Sequence, residues 1–110
     1  MTGRDALMNL RRLFTAGHWT RGTVHIRTHD GKDHYCFIGG LRHVTGFKPS
    51  LRPPRQSDDP NAVAYWEAYK AFGQAAGTSP VNFNDRTSAE RVIQKIDEAV
   101  KILDGKEATA

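Results

Sequence analysis

From Ala89 onward the apolar positions fall at Ala89, Val92, Ile93, Ile96, Ala99, Val100 and Leu103. This i, i+3, i+4, i+7 spacing predicts a helix that buries one stripe. Thr87 to Glu90 reads T-x-x-E, a capping box in which the threonine oxygen accepts an amide proton and the glutamate reaches back to the cap amide. We therefore expect Thr87 as the cap. Asp97 and Lys101 stand four apart on the wet face, and Gly105 supplies a stop, leaving 105–110 as a flexible tail.

The stretch DDPNAVAYWEAYKAFGQAAG predicts a second helix, with Asp59 as N-cap, Pro60 at the first helical position and Gly77 as its end. Proline fits there because its missing amide proton would have had no partner. Ala62, Tyr65, Trp66, Tyr69, Phe72, Gly73 and Ala76 make one face, and Pro80 is expected to keep the helix from resuming. The hydroxyls of Tyr65 and Tyr69 favour the edge of a core, so part of this stripe is a candidate groove for a partner.

At the other end, Thr2 and Asp5 form a weaker box, and Leu7, Leu10, Leu13 and Phe14 recur at helical spacing up to Gly17. Val24 and Ile26 then alternate with His25 and Arg27 before Asp30-Gly31, the pattern of a short hairpin. The run HYCFIGGLRHVTG begins in a way that suits either a second strand or a helix. We expect a buried helix from about Tyr35 to Val44, with Gly39 and Gly40 admitting a close neighbour and Gly46 as the stop. The fold class is mainly α with a minor β part. About four helices pack around one core, with the hairpin between the first two.

At 110 residues the chain suits one domain over 1–110, with an ordered core from about 4 to 104. No run of apolar residues is long enough to span a membrane, and charges interrupt the N-terminal segment where a signal peptide would be apolar. A cytoplasmic protein is expected, and the single cysteine, Cys36, suits a reducing compartment.

Charge changes the picture more. Residues 1–55 hold ten Lys and Arg against three Asp and Glu, whereas residues 56–110 hold six against nine. The basic half could face an acidic partner, and its densest part runs through Arg42, Lys48, Arg52 and Arg55. A nucleic-acid binder would use these with Arg11, Arg12, Arg21 and Arg27, although neither an RNA-module signature nor a helix-turn-helix pairing accompanies them.

Candidate chemistry is sparse. Asn84 and Asp85 stand just before the expected cap, where short polar side chains close an Asx-turn and set negative charge near a helix N-terminus. A catalytic reading would join Cys36, a histidine and Asn84 or Asp85 as nucleophile, base and orienter, but Cys36 lies between Tyr35 and Phe37 in the manner of a small core residue. His25, His29, His34 and His43 cluster in sequence with Cys36 without a zinc-site spacing. His18, next to Gly17, is expected to cap the first helix. No cofactor or metal is expected.

Trp19 and Gly22, then Cys36, Gly39, Gly40 and Leu41, then Phe83, Asn84 and Asp85, then Ile96, Asp97, Ala99 and Val100 follow in a recognisable order. In that order the chain resembles a family of small uncharacterised proteins, a domain of unknown function, of actinobacteria and their phages. That family has a Gly-Trp pair, a Cys-x-x-Gly-Ala-Leu helix and a Trp-Asn-Asp element. Here His18 separates Gly17 from Trp19, and Phe83 stands in place of a tryptophan. The resemblance covers most of residues 7–103 and brings no activity with it. The lack of a catalytic signature, together with the resemblance, leads us to expect a non-enzymatic, phage-encoded or phage-related interaction protein that binds and modulates a host protein in the host cytoplasm, and the small size and aromatic-rich face suit a monomer or homodimer. Nucleic-acid binding is the alternative and a Cys/His enzyme the third reading. On the interaction reading, the partner-binding residues are Arg42, Lys48, Arg52, Arg55, Tyr65 and Tyr69.

Overall fold

The first helix, α1 (Gly3–Thr15), starts where Thr2 accepts the Asp5 amide and Asp5 returns a carboxylate oxygen to the Thr2 amide. A computed structural model describes residues 1–49 and 59–108, with side chains as far as Gly105. Ala6, Leu7, Leu10 and Phe14 of α1 are buried, as the helical spacing requires. The chain then forms β1 (His25–Arg27) and β2 (Asp33–Tyr35), paired antiparallel with Ile26 opposite His34. Next come α2 (Phe37–Thr45), α3 (Pro60–Ala76), α4 (Pro80–Asp85) and α5 (Ala89–Ala108). The mainly helical class and the hairpin between the first two helices are as expected; among the described residues five helices form where about four were expected.

The additional helix is α4. Pro80 does not simply bar a helix: with Ser79 accepting the Asn82 amide at 3.2 Å, it opens one at the first helical position. Three other expectations change locally. Tyr35 belongs to β2, and α2 begins only at Phe37 with Cys36 as its cap. Ser88, not Thr87, accepts the Arg91 amide at 3.4 Å, one residue before α5 begins. Gly105 does not stop α5, which continues to Ala108; with a full turn already propagated, a single exposed glycine costs only about 1 kcal/mol.

Asp59 and Pro60 start α3 as read from the sequence, and Gly77 at φ 72° ends it. Helices α1, α3 and α5 pack on one another, and α2 lies against α1 and α3. Phe37 of α2 stacks on Phe72 of α3 with centroids 4.0 Å apart, and both are fully buried alongside Leu41, Val92 and Ile96. Each such side chain contributes about 1.5–3 kcal/mol by leaving water. Gly40 allows the α1–α2 approach, since a Cβ there would meet Leu10 Cδ1 at 2.5 Å. At Gly39 a Cβ would fall on the Val24 carbonyl oxygen, so this glycine seats the hairpin on α2.

Candidate functional site

The Asn-Asp doublet lies on α4 and reaches across the molecule instead of shaping the entry to α5. Asn84 is 0% exposed. Its Oδ1 accepts from Trp19 Nε1 at 2.7 Å and from the Phe37 amide at 3.1 Å, while Nδ2 donates to the Thr20 carbonyl at 3.1 Å. Asp85 Oδ1 accepts the Gly22 amide at 2.9 Å. The expected Asx-turn is therefore replaced by a clamp that fastens the loop after α1 to the first turn of α2. An amide suits this place because it offers an acceptor and a donor without a charge to desolvate.

Cys36 caps α2, its Sγ accepting the Gly39 amide at 3.5 Å. Asn84 Oδ1 is already engaged by two donors, so Asn84 is not free to orient a histidine beside Cys36. His18 is also placed differently from the expectation. Its ring Nδ1 donates to the Asp33 carbonyl at 2.6 Å, bracing β2 and leaving the end of α1 to backbone bonds. Tyr35 lies between His25 and His43, with ring centroids 4.9 Å from each. Among the described residues no three His, Cys, Asp or Glu side chains gather as a metal-holding group.

The expected partner-binding residues come together in part. Tyr65 is buried rather than at the edge, and it packs edge-on to Phe47 and Trp66 and parallel to Tyr69. Burial pushes its phenol above the ordinary value, and the neighbouring Arg42 guanidinium partly offsets this. Arg42 and Tyr69 are half-buried and Lys48 is exposed just beyond α2. Arg52 and Arg55 lie outside the described residues. One cluster thus joins the end of α2 to α3, and it includes two aromatics that the sequence reading left off the list of partner-binding residues, Phe47 and Trp66. Trp66 was visible on the α3 stripe, but nothing in the local pattern tied it to Arg42. Arg42 Nε and Trp66 Nε1 are buried and have no hydrogen-bond partner among the described residues.

Part of the charge asymmetry of the chain folds onto itself. Arg4 pairs with Asp104 at 2.8 Å and Arg11 with Asp97 at 2.7 Å, linking basic α1 to acidic α5, while Arg27 pairs with Asp33 at 3.1 Å. Among the described residues no helix is long and apolar enough to cross a membrane.

No curated protein and no solved structure matches this chain. A family model does match, over residues 1–102, which takes in the Trp19–Asn84 clamp, the Cys36 cap and the α2–α3 cluster. The chain belongs to the family of unknown function DUF6197.

Proposed function

We propose that this chain is a non-enzymatic interaction protein that captures a protein of the host cell through the aromatic and cationic cluster at the α2–α3 junction. The supporting observation is the pair of buried donors there, Arg42 Nε and Trp66 Nε1, without acceptors among the described residues. A buried donor left unmade costs about 1–3 kcal/mol, and a partner carbonyl or carboxylate admitted by a shift of the half-buried Arg42 and Trp66 side chains would relieve that cost. Tryptophan, tyrosine and arginine are also the side chains that dominate binding energy at protein interfaces. The phage or actinobacterial origin and the modulation of a host protein rest on the resemblance in the motifs, and the cytoplasmic setting rests on the single cysteine and the charged N-terminal segment.

The nucleic-acid alternative loses some support from the ion pairs, because Arg11 and Arg27 already have carboxylate partners. The test is capture from host lysate on the immobilised protein, with and without nuclease, read by mass spectrometry. A nuclease-resistant partner lost on combining Lys48→Glu with Tyr69→Ala supports the reading. Recovery that disappears with nuclease or moderate salt assigns the surface to nucleic acid, since neutralised phosphates release counterions.

A further inference from the structure

Between α4 and the start of α5 lies an open hollow of about 560 Å³, lined by Thr78, Asn82, Phe83, Arg86, Thr87 and Arg91. This lining carries two cations and no carboxylate. Arg86 and Arg91 are exposed, and neither guanidinium has an ion pair or a hydrogen bond among the described residues. Arg4, Arg11 and Arg27 differ, since their charge is met within the fold. The carboxylates next to the two arginines in sequence are not their partners. Asp85 Oδ1 accepts the Gly22 amide at 2.9 Å, and Glu90 pairs with neither arginine among the described residues.

The uncharged side chains of the hollow also suit a polar guest. Asn82 Nδ2 donates to Thr78 Oγ1 at 2.9 Å, which holds both side chains and leaves the Thr78 hydroxyl proton and Asn82 Oδ1 for a ligand. The Thr87 hydroxyl, expected to cap α5, is half-buried and makes no hydrogen bond among the described residues, the cap having passed to Ser88. Phe83 supplies an apolar wall. It is half-buried and meets Phe72 edge-on with centroids 5.9 Å apart, which ties its ring to the core. Asn84 fixes α4 itself by holding Trp19 and the Phe37 amide, so the residues of α4 in the hollow stand on a braced element.

We infer that this hollow binds a nucleoside phosphate. The guanidinium fork matches phosphate oxygens, and two unpaired arginines on a lining without a carboxylate favour a dianion. Threonine hydroxyls and an asparagine amide are partners for sugar hydroxyls, and a flat base can stack on the phenylalanine ring. The volume is within the range of small-molecule sites. Inorganic phosphate alone fits less well, because it would engage the arginines and leave Phe83, Thr78 and Asn82 without a role. A long polyanion is disfavoured by the surroundings: residues 56–110, which contain the hollow, hold six Lys and Arg against nine Asp and Glu. The inference goes beyond the α2–α3 cluster and does not depend on it.

The probes are adenosine monophosphate, adenosine and inorganic phosphate, each titrated into the full 15N-labelled chain, with a single-stranded oligoadenylate as a further arm. The expected result is that the monophosphate shifts the amides of Phe83, Arg86, Thr87 and Arg91 and binds at least about ten-fold more tightly than adenosine or phosphate. Arg86→Gln and Arg91→Gln, at exposed positions where substitution leaves the melting temperature unchanged, should each weaken the monophosphate about ten-fold, the size of one lost charge-assisted hydrogen bond. Phe83→Leu keeps an apolar contact with Phe72 and should weaken the monophosphate while leaving phosphate binding as it was. Absence of shifts at these amides with millimolar monophosphate, or unchanged affinity in both arginine variants, would overturn the proposal. Equal binding of phosphate and monophosphate would overturn it by reducing the hollow to an anion patch. Affinity that grows with oligoadenylate length would also overturn it, assigning the surface to nucleic acid.

Discussion

Asn84 concentrates more of the tertiary structure than any other polar side chain described. Replacing it with alanine leaves the Trp19 indole and the Phe37 amide without an acceptor and the Thr20 carbonyl without a donor. We expect a loss of about 2–4 kcal/mol, read as a melting temperature lower by roughly 10–20 °C. Asn84→Asp is more informative. Burial disfavours the carboxylate, so its folded-state pKa lies above the unfolded one, and the neutral acid can still donate to Thr20. The variant should gain stability relative to the parent as pH falls from 7 to 4 and lose it as pH rises, checked by thermal melts at both ends. At Gly39 a new Cβ meets backbone, while at Gly40 it meets the end of the Leu10 side chain. Gly39→Ala should therefore be the more damaging of the two in the same assay. The motif residues were visible in the sequence but their roles were not. Asn84 bonds lie 47 to 65 positions away along the chain, whereas the local pattern can display only neighbours, which is why an Asx-turn was the natural expectation.

Elements with two or more turns of apolar spacing were legible. The cap at Thr2, the start at Asp59-Pro60 and the stop at Gly77 all form as read. Helix α4 was not legible, because six residues are too few for a period to repeat. The boundary at Tyr35 was hidden for the same reason, and the chain resolves it through β2 pairing on both sides. Ile96 is fully buried on α5, so Ile96→Asp should unfold the domain, seen as loss of far-UV dichroism at ambient temperature. In the hairpin, hydrogen bonds from Arg27 and then His25 hold the Asp33 carboxyl at about 2, below its ordinary 3.8. A depressed carboxylate stabilises fully above its unfolded value and stops doing so as pH falls through the folded one. Between pH 4 and 2 the amides of Ile26 and Thr28, which face β2, should therefore lose exchange protection ahead of those in α5, measurable by hydrogen exchange.

For the whole molecule, the ion pairs from α1 to α5 turn a lopsided linear charge distribution into a more balanced folded one. Both pairs are well exposed, so Arg11→Ala should change stability by less than about 1 kcal/mol, with a small salt dependence in denaturant melts. The cap at Cys36 has a wider use. It holds the chain's single thiol, is 5% exposed, and has its sulfur on the Gly39 amide of the first turn of α2. A thiol reagent can reach it only when the first turn of α2 comes away. The rate of labelling, compared with that of a free cysteine, then reports how often this region opens under native conditions. The protein thus carries its own chemical clock, which any bound partner that steadies the hairpin or α2 would slow.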